Sequence, residues 1–205
     1  MGKKYIFDCS VCTSRCDGVS KLIYNFKNDV ELSELVEQKL IKRFIENDYK
    51  CYKNDKTEYP DLKIISNGNP VYLEVKVGRR TFMKIEELLP LSELVPSETV
   101  VLNLSDLLRY IEFKKNKIID KTYIIWVLYD RKCINDKDKI RMFFQDIDIL
   151  ENIYNKYLER RRFRRKSGIG DIVDGVHKGV VVNYHFSLNE LIEFDFEKFK
   201  KIINN

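Results

Sequence analysis

The sequence predicts an α/β fold of the α+β kind, in which a mixed β-sheet is flanked by helices. Three observations carry that expectation. Residues 122–129 form a nearly unbroken apolar and aromatic run, the pattern of a central strand covered on both faces. Residues 31–47 place apolar side chains at helical spacing, without proline or glycine. Residues 62–77 hold two short strand patterns around dense turn chemistry. The chain of 205 residues, 44% of them hydrophobic, is long enough for one domain with a real core.

Taken in order, residues 1–28 read as a Cys-containing extension of a single domain spanning 1–205. From Glu31 to Asn47 the apolar positions are Leu32, Leu35, Val36, Leu40, Ile41, Phe44 and Ile45. At about 100° per residue, Glu37 falls inside that sector and Glu34 nearer its edge. A carboxylate within an apolar face is costly unless it is paired or near a metal. Thr99–Leu102 suits a short strand. Ser105 then caps a helix to about Phe113, with Asp106 at its positive end. Residues 140–144 and 180–186 read as strands, and residues 147–157 and 196–203 as helices. Ser187 and Glu190 have capping-box spacing.

Residues 58–77 hold the chemistry. Val71, Leu73, Val75 and Val77 alternate with Tyr72, Glu74 and Lys76, so Glu74 and Lys76 share the face opposite the apolar set. Leu62–Ser66 is the partner strand, and Pro60 suits a strand start because it has no N–H to give. With Gly68-Asn69 as a two-residue loop, Asn67 faces Pro70, Lys63 faces Glu74 and Asp61 faces Lys76. A four-residue loop from Asn67 to Pro70 gives the same register, whereas a three-residue loop flips the face. Two carboxylates and a lysine then meet on one side. Such a pair of carboxylates favours a hard cation between them. The ion polarises a phosphoryl oxygen and acidifies a water, which Lys76 can orient or deprotonate.

Pro60, Asp61, Glu74 and Lys76 resemble the motif of the PD-(D/E)XK nuclease superfamily, which includes many type II restriction endonucleases, junction resolvases and RecB-like nucleases. The specific match covers about forty residues, from the preceding helix through Lys76. The resemblance implies a restriction-endonuclease-like core, Mg²⁺ held by Asp61 and Glu74 with Mn²⁺ able to substitute, and Lys76 assisting the attacking water. It also implies a glutamate on the preceding helix, for which Glu37 is the choice and Glu34 the alternative. The expected activity is hydrolysis of double-stranded DNA by a sequence-specific type II restriction enzyme. A palindromic site would imply a homodimer, and such a system a cognate methyltransferase. The alternatives are a structure-selective repair or recombination nuclease, or a DNA-binding protein that has lost activity.

The net charge of +5 is modest, and its distribution says more. In Arg160-Arg161-Arg162-Phe163-Arg164-Arg165-Lys166, six of seven residues are cationic, more than a helix end needs to complement its dipole. Arginine also contacts phosphates and guanine edges bidentately. Arg160, Arg161, Arg162, Arg164, Arg165 and Lys166 are therefore the expected DNA-contacting element. Arg79 and Arg80 follow the Glu74–Lys76 strand and are placed to hold the scissile strand. No run has the length of a membrane helix, and a cytoplasmic location is expected.

Cys9, Cys12 and Cys16 read C-x₂-C-x₃-C, and Cys51 could complete a zinc or iron–sulfur set. The iron–sulfur nucleases of this superfamily carry their cysteines mostly C-terminal to the lysine strand, and this chain departs from that layout. The competing reading is reduced, partly buried thiols.

Overall fold

Residues 4–9, 26–78, 81–129, 131–135, 140–168 and 171–204 are described by the computed structural model. In chain order the elements are α1 (Phe26–Glu46), β1 (Lys50–Lys53), β2 (Leu62–Ser66), β3 (Asn69–Gly78), α2 (Ile85–Leu88), β4 (Thr99–Asn103), α3 (Leu104–Lys115), β5 (Lys121–Tyr129), α4 (Lys132–Asn135), β6 (Ile140–Asp146), α5 (Ile147–Tyr157), β7 (Arg162–Arg164), β8 (Ile172–Val173), β9 (Val176–His177), β10 (Val182–Ser187), β11 (Ile192–Glu193) and α6 (Phe196–Asn204).

Among the described residues the main sheet runs β1-β2-β3-β5-β6-β11. The β3–β5 pair is parallel and its neighbours are antiparallel, so the sheet is mixed. A second sheet, β4-β10-β7, and a small β8–β9 pair complete the strands. The reason β5 reads as a continuous apolar run is visible in its packing. Ile124, Trp126 and Leu128 enter one core with Tyr110, Leu150, Tyr184 and Phe186. Tyr123, Ile125 and Val127 enter another with Val36, Leu40, Phe44 and Phe199. Both faces of β5 are thus removed from water, each large side chain contributing about 1.5–3 kcal/mol. The Trp126 indole also donates to the Val101 carbonyl at 2.8 Å, tying the main sheet to the second.

The structure changes several expectations. Helix α1 begins at Phe26, inside the span read as an extension. Leu35 and Ile45 of its apolar set are exposed, so the buried stripe is narrower than the periodicity suggests. Tyr5 is buried against Phe143, and the Phe7 amide donates to Ser97 Oγ at 2.9 Å, which stitches part of the supposed extension to the core. Asn103, not Ser105, stands at the N-cap of α3. Strands β4 and β10 pair with each other, in the second sheet rather than the main one. Strand β1 has one buried residue, Cys51, between Lys50 and Tyr52. Such an edge strand leaves little alternation to read.

Candidate functional site

The hairpin turns at Asn67-Gly68, with φ of 50° and 82°. Two successive positive φ values define the type I′ turn that Asn-Gly prefers, because its twist matches that of the strands. Ser66 therefore pairs with Asn69, Lys63 with Tyr72 and Leu62 with Leu73. The register is two residues away from the one expected with a Gly68-Asn69 loop. Lys63 does not face Glu74, and the same register continued by one step brings Asp61 opposite Glu74 rather than Lys76. A shift of two preserves the face of every side chain. Val71, Leu73 and Val75 are buried beneath α1, and Glu74 and Lys76 point toward α3.

Each member of the trio is held. Asp61 Oδ2 accepts the Val75 amide at 2.8 Å. The loop before Asp61 is pinned by Arg109, whose Nε donates to the Glu58 carbonyl at 2.8 Å, and by Tyr59, whose ring packs on Tyr72 and Phe113. Lys76 Nζ lies 2.6 Å from Glu74 Oε1 and 3.0 Å from Asp106 Oδ2. The Tyr110 hydroxyl donates to Glu74 Oε2 at 2.5 Å. Asp106 and Tyr110 lie one helical turn apart, which puts both on the face of α3 that looks at β3. Sequence reasoning assigned Asp106 to the helix dipole and passed over Tyr110. An i, i+4 polar pair on an otherwise apolar helix face was the available signal.

Electrostatics follow from this packing. Burial, and next the Glu74 charge, lift the Asp61 carboxyl to about 7. The Val75 amide and Lys76 pull the other way without outweighing them. Burial alone would lower the Lys76 ammonium, but Glu74 and Asp106 reverse this and raise it above an ordinary lysine. Burial and Glu74 hold the Tyr110 phenol in its protonated, donating form.

Glu37 is buried on α1 and lines a cleft of about 480 Å³ together with Asp61, Lys76 and Gly78. Its carboxylate is paired with Lys53 at 3.0 Å. Glu34 is exposed and lines the adjoining cleft. Within the arginine run, Arg165 reaches the first cleft, where Lys178 joins it. Arg165 is bonded to Asp171. Arg161 does not lie on the surface. It is 2% exposed, its guanidinium stands 3.5 Å from the Tyr157 ring centroid, and it pairs with Glu190 at 2.7 Å. Arg162 pairs with Glu159, Arg160 donates to the Tyr157 carbonyl, and Arg164 and Lys166 are exposed. After α5 the run passes through a 3₁₀ turn, Leu158–Arg161, into strand β7, and Arg165 and Lys166 follow in a loop. Arg79 and Arg80 lie outside the described residues.

Cys12 and Cys16 also lie outside the described residues. Cys9 and Cys51 form no disulfide. Cys51 sits in the core under α1, where burial pushes its thiol up to about 12. That environment disfavours the thiolate a soft metal needs.

Among the described residues, no group of three His, Cys, Asp or Glu side chains is disposed to hold a metal, so the trio does not form a closed cage. The donor set fits Mg²⁺ in another way. Two neighbouring carboxylates, one lifted to about 7 by burial and its partner's charge, favour a cation between them. Mg²⁺ is commonly bound through one or two carboxylates, keeping waters or substrate phosphates in its other positions. Asp61 and Glu74 would hold it.

No protein-family model matches the chain, and no curated protein matches it. Among solved structures the chain is similar to Hjc of Archaeoglobus fulgidus, a Holliday junction resolvase from an archaeal hyperthermophile. The TM-score is 0.44 at 9% identity, over 82% of this chain and 95% of that chain. At that score the likeness carries no weight beyond the site's own geometry. Among the described residues, no helix is long and apolar enough to cross a membrane.

Proposed function

We propose that the chain is a metal-dependent nuclease of the PD-(D/E)XK type, hydrolysing phosphodiester bonds of DNA. The observation that carries this reading is the convergence of Asp61, Glu74 and Lys76 at the open end of one type I′ hairpin, beside a cleft. What a bound Mg²⁺, or Mn²⁺ in its place, supplies there is Lewis acidity for a phosphoryl oxygen and a nearby water. Lys76 is a cation between two carboxylates, so it acts by donating hydrogen bonds and offsetting phosphate charge rather than by taking a proton. Glu37 stands at the cleft wall with its charge offset by Lys53.

The finer reading is a type II restriction endonuclease, a homodimer cutting specific duplex DNA alongside a cognate methyltransferase. Arg162 and Arg164, exposed on edge strand β7, support it as base- and phosphate-reading groups, and Arg79 and Arg80 follow the Glu74–Lys76 strand in the sequence. A structure-selective repair nuclease is the second reading, favoured by Arg165 and Lys178 at the cleft itself. A plasmid digest in Mg²⁺, against EDTA, tests all of this. Discrete bands support restriction. Smearing, or cutting confined to branched DNA, supports repair. No cleavage in Mg²⁺ or Mn²⁺ sinks both.

A further inference from the structure

The contacts around Asp106 deepen the metal-dependent reading of this site and rest on it. Both oxygens of Glu74 are engaged, Oε1 by the Lys76 ammonium at 2.6 Å and Oε2 by the Tyr110 hydroxyl at 2.5 Å. Each oxygen keeps a second lone pair, but an ammonium held this close repels a cation approaching the same carboxylate. Glu74 serves a cation best when Lys76 loosens its hold on Oε1.

Lys76 has somewhere to go. Asp106 Oδ2 already accepts from its Nζ at 3.0 Å. Asp106 is itself fixed, since its Oδ1 accepts from Arg109 at 2.8 Å. Arg109 in turn holds the Glu58 carbonyl in the loop that leads to Asp61. The second acceptor is therefore anchored independently of Glu74. The Lys76 side chain is 24% exposed, and that of Asp106 is 13% exposed. An ammonium in such a place is costly to leave without a carboxylate.

We propose that Asp106 is a positioning residue, the acceptor that retains Lys76 when Glu74 turns to a divalent cation. In this role Asp106 acts through Lys76 rather than as a ligand of the cation. With Asp106 present, Lys76 can release Glu74 and stay paired beside the cleft. Without it, Lys76 depends on Glu74 alone and competes with the cation for the same oxygen. The sequence of β3 places Lys76 two residues from Glu74, so this competition is built into the strand. Only the docking of α3 relieves it.

The test is Mn²⁺ binding to the full chain, followed by electron paramagnetic resonance without DNA. It compares the wild type, Asp106→Ala, Lys76→Ala and the double variant, with thermal melts to verify folding. Asp106→Ala should weaken Mn²⁺ binding by about tenfold, equivalent to about 1.4 kcal/mol. In the Lys76→Ala background the same substitution should change binding by less than about twofold, because the competitor is gone. Equal losses in both backgrounds, or no loss in either, would overturn the proposal. Should Asp106→Ala fail to fold, Asp106→Asn repeats the cycle, and its amide oxygen should rescue part of the binding. Wild-type protein that binds no Mn²⁺, or binds it regardless of Glu74→Ala, would sink the metal-dependent reading and this inference with it. That result is distinct from a loss that ignores Lys76.

Discussion

Asp61 and Val75 are joined by a hydrogen bond across the hairpin, from the Val75 amide to the Asp61 carboxylate at 2.8 Å. The carboxylate proposed as a cation ligand thus also has a structural task. The two roles can be separated. Asp61→Asn keeps an oxygen for the Val75 amide but removes the charge, so it should abolish cleavage while leaving the melting temperature no lower than that of wild type. Asp61→Ala should abolish cleavage and also cost about 1–3 kcal/mol, the penalty for a buried donor left without a partner. Calorimetry beside a digest reads both, and a stable Asp61→Ala protein would show the hydrogen bond to be dispensable.

Lys76 is predicted to matter for turnover rather than binding. Lys76→Ala should lower the cleavage rate by about 10²–10³-fold, the usual cost of removing one group that stabilises developing charge. DNA affinity in Ca²⁺ should be little changed. Undiminished cutting by this variant would remove Lys76 from the mechanism.

The arginine run should divide into two classes. Arg161→Ala removes one partner of the buried pair with Glu190 and should destabilise the fold by about 3 kcal/mol, the lower end of the range because Glu190 is partly exposed. Replacing Arg162, Arg164 and Lys166 together should leave the melting temperature almost unchanged and weaken DNA binding. The slope of affinity against salt should fall by roughly 0.9 for each phosphate that the variant no longer neutralises. An unchanged slope places the run away from DNA.

Asp61 also sets a pH dependence. Its folded pKa of about 7 lies above the ordinary carboxylate value of 3.8. Between these values the folded state holds a proton that the unfolded state has lost. Without metal, the contribution of Asp61 to stability should therefore decline as pH rises from about 4 to about 7, and level off above that. Asp61→Asn should abolish that decline and be the more stable protein above pH 7. Metal binding needs the ionised form, so Mg²⁺ affinity should weaken as pH falls below about 7. Melts across pH, with and without Mg²⁺, check both signs.

Much of the fold was legible because it follows short-range rules. The two-residue alternation of Val71, Leu73 and Val75 announced β3, and the continuous apolar run announced β5. The hairpin turn was placed one residue late because Gly68-Asn69 and Asn67-Gly68 overlap in the sequence. Only the positive φ at both Asn67 and Gly68 separates them. The arginine run misled for a different reason. Charge is legible in sequence, but burial is not, and Arg161 is buried by Glu190 and Tyr157, which the chain supplies from positions before and after it.

The sequence by itself determined that Asp61, Glu74 and Lys76 would share one face of one hairpin. That is a matter of strand parity, which survives a register shift of two. Tertiary structure decided what meets that face. Asp106 and Tyr110 arrive on α3 from thirty or more residues away, and Glu37 arrives on α1 already paired with Lys53. Periodicity states which way a side chain points along its own element. What it meets depends on the packing of another element, which local spacing does not encode.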